Sequence, residues 1–160
     1  MARIFEGHHD GKGLRIAVVV ARFNAPITEK LLEGAIETAR SRGVAEDDVI
    51  VAWVPGAFEI PLIGARLLER DDVDAVVGLG CVIRGETSHF DFVSHGVTVG
   101  TLEAGLQSRK PFLFGVLTVE DREQALARAG GKKTNKGVEV MDAAIELVRL
   151  QESLDGDPSS

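Results

Sequence analysis

From Ile16 to Ala21 the chain reads Ile-Ala-Val-Val-Val-Ala, apolar at every position. A strand with no polar face must be covered on both sides, which is the situation of a central strand in a parallel sheet. The sequence supplies the cover. After Arg15 to Ala21, Ile27, Leu31, Leu32, Ala35, Ile36 and Ala39 recur at helical spacing, with Pro26 suited to the first turn and Gly43 to the stop. Val49 to Val54 reads as a second strand, and Ile60, Ile63, Leu67 and Leu68 line a helix opened by the turn Pro55-Gly56-Ala57. Ala75 to Gly80 reads as a third strand, followed by a helix through Leu102 and Leu106. Phe112 to Leu117 makes a fourth, and Thr118-x-x-Asp121 resembles a cap for the helix through Leu126. A last helix carries Val138, Met141, Ile145 and Val148. This alternation predicts an α/β fold, a four-stranded parallel sheet with helices on both faces.

The 160 residues suffice for one core and are short for two, so residues 1–160 are expected as one domain, with a disordered tail from about 155 to 160. Ile4-Phe5-Glu6 has strand character and no evident partner in its own chain, which predicts a short strand added to a neighbouring subunit. A net charge of -7 argues against sequence-independent binding to nucleic acid or an anionic membrane. Cys81 is the single cysteine, so no internal disulfide can form, which fits a reducing compartment. No apolar run approaches the ~20 residues that span a bilayer. The first residues lack the apolar segment of a secretory signal. A cytoplasmic protein is expected.

Open parallel sheets bind ligands at the carboxyl ends of their strands, so the loops there are where chemistry is expected. After the first strand, Arg22-Phe23-Asn24 places a phenylalanine that could stack on a planar ring or simply pack. After the second, Pro55-Gly56-Ala57-Phe58-Glu59-Ile60-Pro61 joins a tight turn to a helix start; Glu59 could accept from ring or amine N–H groups, although the helix dipole alone favours it there. After the third, Gly80-Cys81-Val82-Ile83-Arg84-Gly85-Glu86-Thr87-Ser88-His89 offers glycine, hydroxyls and free amides, as an anion needs, without the pattern of a P-loop. His89 is the residue near this loop suited to proton transfer near neutral pH, ahead of His95, His8 and His9. Arg128 with Lys132, Lys133 and Lys136 forms a cationic stretch that either clamps an anion or complements a helix end. Phe114 reads as core unless its strand borders another subunit. One reading of the residues competes with an acid/base site: a cysteine enzyme with Cys81 as nucleophile and His89 as base, which would make it a hydrolase or amidotransferase.

Taken together, the segments Arg22-Phe23-Asn24, Pro55 to Pro61, Gly80 to Val93, Gly115-Val116-Leu117-Thr118, and Arg128-Ala129-Gly130 with Asn135-Lys136-Gly137 resemble the lumazine synthase family over Phe5 to about Leu150. Two departures stand out: Ser88 where proline is common in the family, and Cys81 where valine is common. The resemblance implies a flavodoxin-like three-layer sandwich. It also implies a transferase of riboflavin biosynthesis, active without cofactor or metal, which condenses 5-amino-6-(D-ribitylamino)uracil with 3,4-dihydroxy-2-butanone 4-phosphate. By motif, Phe23 would stack on the pyrimidine, Ala57, Phe58 and Glu59 would hold it and the ribityl chain, and Cys81, Val82 and Ile83 would give backbone contacts. Glu86 and Thr87 would bind phosphate with Arg128 of an adjacent subunit, Phe114 of that neighbour would close the pocket, and His89 would be the general acid/base. The implied partners are small-molecule substrates and further copies of the chain, as a pentamer or a sixty-subunit icosahedral capsid, with riboflavin synthase as the partner enzyme to consider. The segments Gly131-Lys132 and Asn135-Lys136-Gly137 match the pattern of the family's shell-forming members. A flavin-binding or shell-forming protein without turnover is the other reading that the resemblance leaves open.

Overall fold

A computed structural model of the chain describes residues 1–130 and 133–158. Four strands, β1 (Ile16–Ala21), β2 (Val49–Val54), β3 (Ala75–Ile83) and β4 (Phe112–Val119), pair in the order β2-β1-β3-β4, all parallel. The helices are α1 (Ala25–Ser41), α2 (Ile60–Leu68), α3 (His89–Ser108), α4 (Arg122–Arg128) and α5 (Lys136–Asp155). The expected three-layer α/β architecture is therefore present.

Strand β1 shows why its sequence has no polar face. Ile16, Val18 and Val20 point into one core with Ile27, Leu31, Met141 and Ile145, while Ala17, Val19 and Ala21 point into a second core with Ile60, Leu68 and Val97. Successive side chains of a strand face opposite ways, so a strand between two helical layers needs apolar residues at both parities. Each such Val, Leu or Ile contributes about 1.5–3 kcal/mol by leaving water.

The outer strands differ. Strand β2 leaves Val51 and Trp53 partly open, at 38% and 40%, and β4 leaves Phe114 open at 38%. Phe114 is thus a side chain of an edge strand rather than a core residue. Residues 4–6 form no strand in this chain. Ile4 is left 78% exposed, and the chain meets α5 just beyond, where a Cβ on Gly7 would run into the backbone of Glu146. Arg3 pairs with Asp157, and Arg149 donates to the carbonyls of Asp10 at 2.8 Å and Lys12 at 2.7 Å.

Three boundaries depart from the sequence reading. Strand β3 continues through Ile83, because β4 accompanies it to the pair Ile83↔Val119. Thr118 lies inside β4; the cap of α4 is Asp121, whose Oδ1 accepts from the N–H of Gln124 at 2.8 Å. Helix α5 runs on past Val148 to Asp155, and Asp157 beyond it pairs with Arg3.

Candidate active site

The carboxyl ends of β1, β2 and β3 open into a cleft of about 780 Å³. Three wall segments converge there, each set by its strand. The first is Phe23, 70% exposed, just beyond the end of β1; its N–H donates to the carbonyl of Pro55 at 3.0 Å, tying it to the loop after β2. The second is a single turn of 3₁₀ helix, Ala57–Glu59, which leads into α2. Gly80 lets this turn approach β3: a Cβ there would lie 3.3 Å from that of Ala57 and 3.2 Å from Ile60. Phe58 is 60% exposed and rests on α3 at Gly96, where any side chain would strike its ring. The third wall is the end of β3, Cys81, Val82 and Ile83.

His89, Phe90, Phe92 and Val93 from the start of α3 complete the lining, with Gly85 and Thr87 of the preceding loop. His89 is exposed, and its backbone N–H donates to Thr87 Oγ1 at 3.3 Å. Residues 84 to 89 are all exposed, and a Cβ on Gly85 would meet nothing within 4 Å, so the loop is open to an incoming ligand. Its own cation is already engaged. Arg84 donates to Glu120 at 2.8 Å and to Asp91 at 3.4 Å, lies 4.3 Å over the Phe90 ring, and its hydrogen bond to Glu120 raises its pKa further. Arg84 therefore fastens the loop to the β4–α4 corner, and a bound anion needs a cation from elsewhere.

The structure thus brings together Phe23, Ala57, Phe58, Glu59, Cys81, Val82, Ile83, Thr87 and His89. Glu86 sits exposed on the same loop without lining the cleft, and neither Phe114 on β4 nor Arg128 at the end of α4 lines it. The Arg128 guanidinium donates to the carbonyl of Gln124 at 3.0 Å. Of the cationic stretch, Lys132 lies outside the described residues, as does Gly131. Sequence reasoning passes over the Arg84–Glu120 link and the lining by Phe90, Phe92 and Val93; the residues are in plain view, but their pairing requires β3 and β4 to end side by side.

Cys81 is 3% exposed, and burial pushes its thiol from an ordinary 9.0 up to about 11, against a small lowering by Arg122. A thiol that stays protonated at neutral pH is a poor nucleophile, which removes the main support for a cysteine enzyme. Cys81→Ala is accordingly expected to retain most activity. Its stability should also respond to pH. The folded pKa lies above the unfolded one, so the thiol's contribution is complete below pH 9 and is lost as pH rises through about 11. Urea unfolding at stepped pH should show the stability difference between wild type and Cys81→Ala shrinking across that window; a constant difference would refute the burial account.

The family model described as 6,7-dimethyl-8-ribityllumazine synthase matches residues 13–152. Among curated proteins, the 6,7-dimethyl-8-ribityllumazine synthases of two Thermus thermophilus strains are each 53% identical over 143 residues, covering 89% of this chain and 91% of theirs. The family match spans all four strands and each of the three segments that wall the cleft. The chain belongs to the 6,7-dimethyl-8-ribityllumazine synthase family.

Proposed function

We propose that the cleft at the ends of β1, β2 and β3 is where this chain condenses 5-amino-6-(D-ribitylamino)uracil with 3,4-dihydroxy-2-butanone 4-phosphate. Formation of 6,7-dimethyl-8-ribityllumazine, the condensation step of riboflavin biosynthesis, is the activity of the family to which the chain belongs. The observation that carries the placement is the convergence of Phe23, the Ala57–Glu59 turn and the Cys81–Ile83 backbone around one cleft with His89 at its edge.

A flat pyrimidine fits between an exposed aromatic ring and a strand end, with Phe23 as the stacking face and the backbone of Cys81, Val82 and Ile83 meeting its polar edge. Phe58 and Glu59 hold the ribityl chain. The phosphate lies on the open loop at Glu86 and Thr87, whose backbone N–H groups precede α3. Because Arg84 is neutralised by Glu120 and Asp91, the compensating charge comes from Arg128, and the site takes that residue, with Phe114, from an adjacent subunit. The substrate amine attacks the ketone and water leaves to give an imine. Elimination of phosphate then follows, and ring closure with loss of a second water yields the lumazine. His89 carries protons between these steps, while the cleft supplies orientation.

Assembly follows from the same assignment: a site shared between subunits requires an oligomer, a pentamer or a sixty-subunit capsid. The apolar edge residues Trp53 and Phe114 and the α3 residues Leu102 and Leu106 are open in the single chain. The Asn135-Lys136-Gly137 pattern also has a local reason. Asn135 caps α5 and donates to Lys30, and a Cβ on Gly137 would run into the Leu31 carbonyl. No helix among the described residues is long and apolar enough to cross a membrane; a cytoplasmic location is part of the same proposal. The reaction is tested by mixing purified protein with both substrates and following lumazine absorbance and fluorescence. Product formation well above the uncatalysed background is expected, and a rate equal to background would refute it.

A further inference from the structure

Asn24 occupies the position that should cap α1, and it does not cap. Its backbone sits in the left-handed region at φ 62 and ψ 40, and its side chain accepts nothing from the first turn. An asparagine side chain in this position ordinarily stabilises a helix by capping it, and a left-handed backbone is disfavoured at a residue with a Cβ, although asparagine tolerates it better than most. Two local preferences are therefore set aside at one residue. That pattern concentrates at functional positions, where the surrounding structure holds the strain.

The side chain is used across the sheet. Asn24 Nδ2 donates to the Cys81 carbonyl at 2.9 Å in a half-buried setting. The strand register shows what this bond replaces. β1 pairs with β3 only as far as Val20↔Leu79. Beyond that, the chain leaves β3 and follows β2, with the N–H of Arg22 on the Val54 carbonyl at 2.7 Å and that of Phe23 on the Pro55 carbonyl at 3.0 Å. Asn24 reaches back to supply β3 with a donor where the β1 backbone no longer can. Phe23 is thereby stitched to β2 on one side and, through its neighbour, to β3 on the other.

We infer that Asn24 is a positioning residue for the pyrimidine: it fixes the Phe23 ring relative to the Cys81-Val82-Ile83 backbone, so the slot between them exists before the substrate arrives. This rests on the proposed reading that the pyrimidine lies between those two groups. A preformed slot spares the ordering that binding would otherwise require.

Two variants separate this role from backbone strain. Asn24→Gly keeps the left-handed backbone and loses the amide; Asn24→Asp keeps shape and loses the donor. Calorimetric titration with the pyrimidine substrate should show affinity weakened roughly tenfold in both, with KM for the pyrimidine rising in step and KM for the butanone phosphate within about twofold of wild type. A merely structural role would lower the thermal midpoint and leave pyrimidine affinity unchanged, and that result would overturn the inference. The two readings fail differently. Wild-type turnover with equal affinities in all three proteins sinks the role of Asn24 and spares the reaction. Tighter wild-type binding of the pyrimidine with no lumazine formed sinks the reaction and spares Asn24.

Discussion

Subunits carrying Phe23→Ala and subunits carrying Arg128→Ala, each nearly inactive alone, are expected to regain activity when refolded together. Phe23 lines the cleft of its own chain, whereas Arg128 does not and is held at the end of α4 by the Gln124 carbonyl. If each site draws its aromatic wall from one chain and its arginine from the next, an equal mixture leaves some interfaces with both groups intact. Random placement around a ring makes these about a quarter of the sites, so the hybrid should approach about a quarter of wild-type activity. Loss of a charge-assisted phosphate contact and of a stacking ring should each cost the parents a hundredfold or so. Native mass spectrometry verifies mixing, and sedimentation of the same sample reads the particle, with a pentamer or sixty-subunit shell expected. A monomer or dimer at micromolar concentration would refute the assembly, and verified hybrids with only the parental average would place the site within one chain.

His89→Ala should slow the condensation by about tenfold to a hundredfold, at or below the low end of the usual ~10²–10⁴ range for general acid/base catalysis, because orientation of reactive substrates supplies much of the rate. The fold should be unaffected. His89 is exposed at the first position of α3, and its tie to the loop runs through its backbone N–H on Thr87, which alanine keeps. Steady-state rates, with circular dichroism as the control for folding, check this. A fully active His89→Ala beside an inactive Cys81→Ala would return the cysteine to the centre of the mechanism.

The sheet is legible in the sequence because its signal is redundant: β1 is buried at both parities, and the apolar run between Asp48 and Pro55 delimits β2 to the residue. Endings are less legible, since a strand stops where its neighbour stops. Nothing in Cys81-Val82-Ile83 itself says that β4 will accompany it to Val119. The cap of α4 is ambiguous for a related reason: Thr118 and Asp121 both have capping side chains, and only the length of β4 decides between them. In the site, Phe23, Phe58 and His89 can be found from their place after strands. The engagement of Arg84 with Glu120 cannot, because those residues meet through the sheet and not through the sequence. The use of Asn24 is hidden for the opposite reason, since a residue in a conventional capping position gives no hint of working elsewhere.

The bare flanks of the sheet bear on the newly made chain. Until it finds other copies, β2 and β4, each paired on one side only among the described residues, offer water a row of backbone groups beside Val51, Trp53 and Phe114. Such edges are templates for any strand that arrives first, right or wrong. Correct association therefore races against misassembly during synthesis, and the outcome depends on how crowded the chain is with its own kind. If sites are shared between subunits as proposed, expression level becomes a folding variable: at low abundance the protein is short of stability as well as of catalyst.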